Sequence, residues 1–138
     1  MPDTVLELMF NKPAEKAHMK SEALTLGSLV GTWVNVNAAT RDIVKIVLTN
    51  NGGALSVHAF GACSPTPCDW GQVHGQAYAA SVAGGAAVAF TANYAFGFKS
   101  TILSGHLNGV NLIVDDFNVF NDGSGRSPYF TEGTFRRA

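Results

Sequence analysis

The chain has 138 residues, 46% of them apolar and only 14% charged, with a formal net charge of −1. That length suits one domain with a core of its own, and the near-neutral balance excludes a general pull toward nucleic acid or an anionic membrane. A charged share well under the usual value of about 25% leaves much of the surface neutral, as it is where a homo-oligomer covers part of it.

Residues 1–27 differ from the rest. Val5-Leu6-Glu7-Leu8-Met9-Phe10 and the stretch from Ala14 to Leu26 hold most of the helix formers, with Pro13 interrupting. Ser21-Glu22-Ala23-Leu24 reads as the start of a short helix ending at Gly27. Such a segment either plugs one end of the domain or trails from it. Met1-Pro2-Asp3 opens no basic region followed by an apolar core, so no signal peptide is read and the chain as written reads as cytoplasmic. No stretch approaches the roughly 20 apolar residues that span a bilayer.

From residue 28 to 138 the pattern is that of a single β domain. Strands are expected over Thr32–Asn37, Ile43–Thr49, Ala54–Gly61, Gly71–Ala79, Ala86–Tyr94, Phe98–Leu107, Val110–Phe120 and Pro128–Arg137. Turn chemistry separates them: Asn50-Asn51-Gly52-Gly53, Ala83-Gly84-Gly85, Asn108-Gly109 and Asn121-Asp122-Gly123-Ser124-Gly125. Asn108-Gly109 is the strongest hairpin signal, because Asn-Gly tolerates the positive φ of a type I′ turn. Eight even strands without intervening helices fit an all-β fold, an eight-stranded antiparallel up-and-down barrel carrying a short N-terminal helical segment. Closure also removes the edge strands that would otherwise aggregate.

Cys63 and Cys68 bracket Cys-Ser-Pro-Thr-Pro-Cys. The pair is a small disulfide loop, a redox pair or two reduced thiols; a metal is not expected, since no second ligand pair follows. Asp69, Trp70 and Gly71 continue the segment. Trp70 is either a flat face on the lip of the barrel or a side chain packed beneath a stiff connection.

Gly31-Thr32-Trp33-Val34-Asn35, entering the first strand, resembles the opening of the calycin barrels (lipocalins, fatty-acid-binding proteins and avidins), and is most similar in wording to avidins. Ser100 to Asp116 also looks like an avidin hairpin in rhythm. The resemblance implies that Trp33 packs across a closed end, that Arg136 (or Arg137) from the last strand covers it, and that Asn35 faces the cavity and meets a ligand. The chain departs from avidins in having Trp70 as its only other tryptophan, which argues against biotin.

Strand alternation sorts the remaining candidates. Asn35 and Asn37 share the face of Trp33, so they form either an internal polar network or the lining of a wet cavity. In strand four, Trp70, Gln72, His74, Gln76 and Tyr78 share one face and Val73, Gly75, Ala77 and Ala79 the other. Either set can be the inner one, and Phe90 is among the side chains expected to fill the volume opposite. Asp115 and Asp116 point to opposite faces; the inward one needs an amide, Arg or His partner.

These residues support a binding protein that holds a small, partly apolar ligand inside the barrel, with Asn35, Asn37, Trp70, His74, Tyr78 and Phe90 as contacts and no cofactor. The alternatives are a cyclase- or isomerase-type enzyme with Asp116 and His74 or His106 as acid–base groups, and a surface module that recognises sugar or protein through the 61–71 loop. Nucleophile elbows, metalloprotease motifs and phosphate-cradling loops are absent from the sequence.

Overall fold

Alternating inward residues with turn chemistry between them produce eight strands: β1 (Gly31–Asn35), β2 (Ile43–Asn51), β3 (Ala54–Gly61), β4 (Cys68–Ala79), β5 (Ala87–Ala95), β6 (Lys99–Asn108), β7 (Asn111–Phe120) and β8 (Tyr129–Arg137). A computed structural model describes residues 24–138. Each strand pairs antiparallel with the next, and β1 pairs with β8 through Trp33–Arg137, Val34–Arg136 and Asn35–Phe135, so the sheet is a closed barrel. The expected all-β architecture is therefore present. Among the described residues there is no helix; the expected N-terminal helical segment lies mostly outside them, and Leu24–Gly27 forms a bridge and a turn.

Three local expectations are corrected. β1 ends at Asn35, not Asn37. β4 begins at Cys68, before Gly71. The β6–β7 turn residues are Gly109 and Val110, since Asn108 pairs with Asn111. Only Gly109 has positive φ there, 64°, so the type I′ geometry, which needs two positive φ values, is not used.

One end of the barrel is closed. Thr25 bridges to Ala86, its amide donating to the Gly85 carbonyl at 3.1 Å while its carbonyl accepts from Ala87 at 2.9 Å. The following turn buries Leu26 and Leu29 beneath the barrel. Trp33 donates its indole N–H to the Leu29 carbonyl at 2.8 Å. Arg137, not Arg136, covers the Trp33 ring at 4.3 Å and donates to the carbonyls of Val30 (2.8 Å) and Ser28 (2.7 Å). Arg136 points to solvent because strand alternation turns it away from the face that carries Phe135.

Side chains fill the interior. Trp33, Ile46, Leu48, Val57, Phe90, Leu103, Leu112 and Phe135 are all fully buried. The inner face of β4 is the small set, Val73, Gly75, Ala77 and Ala79, and the space this leaves is taken from the neighbouring strands. A Cβ on Gly75 would lie 2.8 Å from a Val57 methyl, and one on Gly105 would lie 2.3 Å from the Phe90 ring. The space beside Gly75 and Gly105 is thus already occupied by side chains.

Candidate functional site

The connections at 36–42, 62–67, 96–98 and 121–128 all gather at the end opposite Trp33. Connections carried by a rigid scaffold are the usual bearers of binding chemistry. The inner faces of the strands also change character toward this open mouth. Along β7 the inward residues run Leu112, Val114, Asp116, Asn118, from apolar to polar. Thr101 on β6 lies opposite Asn118, and Thr131 on β8 lies opposite Asp116.

These side chains form one chain of hydrogen bonds. The Thr101 hydroxyl donates to Asn118 Oδ1 at 2.7 Å, and Asn118 Nδ2 donates to Asp116 Oδ1 at 2.7 Å. The Thr131 hydroxyl lies 2.9 Å from Asp116 Oδ2 and also touches Asp42 Oδ2. Asp42 reaches the site from the end of the β1–β2 connection, where its carbonyl accepts from the Ala62 amide at 2.8 Å. A hydroxyl carries one proton. Both contacts of Thr131 are satisfied only when one of the two carboxyls is itself protonated and donates.

The electrostatics agree. Burial pushes the Asp116 carboxyl up to about 7, helped by its hydrogen bond to Asp42 and by that residue's charge, against the opposing bonds from Asn118 and Thr131. Tyr129, at the lip, has its phenol raised by burial and by the charges of Asp116 and Asp42. Asn35, Asp42, Asp116, Tyr129 and Thr131 line a groove of about 380 Å³, with Arg41 on its outer edge.

The residues named from sequence separate in space. Asn35 lines the groove, but its amide is engaged: Nδ2 donates to the Ile43 carbonyl at 3.0 Å and Oδ1 accepts from the Asn37 amide at 2.9 Å. Asn37 is exposed in the connection after β1, accepting from the Ala39 amide, and does not face inward. Phe90 is buried core against Gly105. His74 and Tyr78 face outward on β4, with the Tyr78 hydroxyl 2.9 Å from Thr91 Oγ1, so neither meets the interior. His106 is exposed, opposite Ile113 on β7, and neither histidine reaches Asp116.

Trp70 leaves the face it was expected to share with His74. The β3–β4 register shifts between His58 and Phe60, and Gly71 takes φ 90°. This bulge adds a residue to β4 and turns Trp70 onto Tyr94 and Phe96, with centroids at 5.4 and 5.2 Å. The Tyr94 hydroxyl donates to the Gly71 carbonyl at 2.7 Å and accepts from the Ala59 amide at 3.1 Å, meeting backbone groups that the bulge leaves over. Cys63 and Cys68 form a disulfide across the preceding connection. Outside the barrel, Asp69 accepts from His58 at 2.6 Å, a bond that lowers its pKa together with the Gly71 amide.

Sequence reasoning found Asp116 but missed Asp42 and Thr131. Continuing the alternation of β8 outward from Phe135 through Gly133 would have given Thr131. Nothing local marks Asp42, which comes from 74 residues before Asp116 in the chain. The chain matches no protein-family model, no curated protein and no solved structure.

Proposed function

We propose that this protein binds a small molecule at the open mouth of its barrel, with the Asp42–Thr131–Asp116 bridge as the polar floor. The observation that carries this reading is the bridge itself: two carboxyl groups drawn from distant parts of the chain onto one hydroxyl, at the base of a groove. Ligand sites are concavities in which a few convergent polar groups fix orientation, and keeping two acids together costs the fold stability. The filled interior supports the mouth as the site in preference to the inside, where the sequence reading put it. The calycin likeness belongs to this proposal and is supported by the closed barrel and by Trp33 under an arginine of the last strand.

Native mass spectrometry of gently purified protein tests it. A retained small molecule that is lost in Asp42→Asn, with the melting temperature kept, is the expected result. Retention unchanged in that variant sends the ligand elsewhere.

One observation favours an enzyme as the second reading. A carboxyl held up to about 7 beside another acid is poised for proton transfer near neutral pH. Asp116, with Asp42 in place of His74 or His106, would then be the acid–base pair. Asp116→Asn would retain the ligand and lose turnover.

A homo-oligomer is also part of this proposal. The outer face of β6–β8 exposes Ile102, Phe117, Val119 and Phe130, with Phe117 and Phe130 stacked at 5.7 Å, and an apolar patch of this kind marks contact surfaces. The Cys63–Cys68 disulfide supports an oxidising compartment over the cytoplasmic placement read from the sequence.

A further inference from the structure

We propose that the ligand of the mouth is a carbohydrate, whose terminal ring enters the groove beside Tyr129 while the next ring lies on Phe98. This rests on the binding reading above and names the class of ligand.

Two independent features point there. The first is the donor and acceptor character of the floor. A sugar hydroxyl donates and accepts at once, so it is best met by groups that do both. The Thr131 hydroxyl has that character, and a carboxyl pair sharing a proton offers a donor oxygen beside acceptor oxygens. A fatty ligand finds only this polar floor, because core side chains fill the space beneath it. Arg41 stands only at the edge of the groove, and an anionic ligand seated on the floor would bring its charge against the remaining negative charge of the Asp42–Asp116 pair.

The second feature is the rim of the mouth, where Tyr129 lines the groove and Phe98 stands in the 96–98 connection at the same end. Tyr129 is 44% exposed and Phe98 48% exposed, and Phe120 lies between them, with centroids 6.1 Å from Tyr129 and 6.5 Å from Phe98. Arg126 lies over the Phe120 ring at 3.9 Å and is held there by Asp122 at 2.7 Å. Phe120 is therefore a covered buttress, and the two flanking rings are the ones left open. Backbone places both: the Phe96 amide donates to the Lys99 carbonyl at 2.8 Å and the Asn121 amide to the Phe98 carbonyl at 2.7 Å around Phe98, while Tyr129 pairs with Asn118 at the start of β8. Large exposed rings held rigidly at a groove lip are amphipathic contact surfaces. The C–H face of a pyranose stacks on such a ring while its hydroxyl edge remains free for the floor.

The test is an NMR titration of the full chain with cellobiose, maltose, chitobiose and lactose, each against its component monosaccharides, and with benzyl alcohol as a compact non-sugar probe. The expected result is that at least one disaccharide shifts the Asn118 side-chain amide and binds about tenfold more tightly than its monosaccharides. Phe98→Ala should remove that advantage without lowering the melting temperature, and Tyr129→Ala should remove binding of both. If benzyl alcohol shifts Asn118 and no saccharide does up to about 10 mM, the carbohydrate inference is overturned and the binding reading stands. If neither class shifts it, the carbohydrate inference is overturned, and retention in native mass spectrometry decides the binding reading by itself. A disaccharide whose affinity ignores Phe98→Ala overturns the two-ring lip.

Discussion

Asp116 is almost fully buried, yet it is an acid with another acid at the far side of a hydroxyl. Its carboxyl is raised from 3.8 to about 7, by burial first and by Asp42 second. Well below 3.8 the carboxyl is protonated in both folded and unfolded chains, so it contributes no pH dependence there. Between about 4 and 7 the folded state binds more protons than the unfolded one, and stability falls as pH rises. Above 7 the whole cost is present. An asparagine at 116 keeps the shape of the protonated acid: its oxygen accepts from Asn118 and its amide donates toward Thr131. Asp116→Asn is therefore expected to flatten the profile and to be the more stable form at pH 8, by on the order of a few kcal/mol. Urea unfolding at pH 5 and pH 8 checks this, and a wild-type protein as stable at 8 as at 5 would sink it. The groups facing Asp116 are Asp42, Thr131, Asn118 and Tyr129; Arg41 stands at the edge of the groove, and none of the salt bridges among the described residues includes it.

Among the elements, β4 shows what the sequence made legible and what it did not. Gly75, Ala77 and Ala79 alternate with Gln76 and Tyr78, and either face can be the inner one until the neighbours are known. Leu55 and Val57 decide the matter by filling the space beside Gly75. Strand count, order and closure could be read because each depends on a local pattern of alternation and turns. The face of Trp70 could not, because a single inserted residue at Gly71 reverses the alternation on its far side, and the residues that make room for it lie on β3 and β5. The mouth has the same origin: Asp116 was visible within its strand, but Asp42 meets it only after the barrel has closed. A Cβ on Gly71 would touch nothing within 4 Å, yet its φ is 90°. The cost of Gly71→Ala is thus purely conformational, roughly 1–2 kcal/mol. Denaturant unfolding should show that loss, together with a red shift of Trp70 emission in the Trp33→Phe background. A loss under about 0.5 kcal/mol would mean that the bulge does not need its glycine.

At the scale of the molecule, the two tryptophans stand at opposite ends of one closed sheet. Trp33 lies in the closed end, tied to Leu29 and covered by Arg137; Trp70 packs near the open mouth against Tyr94 and Phe96. No open edge lies between them: β1 holds Trp33 and pairs with β8, and β8 carries Thr131 and Tyr129 up to the mouth. The core is also continuous, since Leu26, Leu29, Trp33, Phe135, Phe90 and Tyr94 belong to one buried cluster. Opening either end therefore breaks strand pairs that serve the other, and the barrel is expected to unfold as one unit, as small single domains usually do. Each single-tryptophan variant, Trp33→Phe and Trp70→Phe, isolates one end, because the chain has only two tryptophans. Their absolute stabilities will differ, since Trp33→Phe removes the bond to Leu29. The relevant comparison is within each variant, between the urea midpoint of its fluorescence and that of its far-ultraviolet circular dichroism. Coincident midpoints in both are expected. A Trp33 signal that melts before the sheet would show that the closed end opens on its own, and the barrel would then be a stable mouth resting on a separable plug.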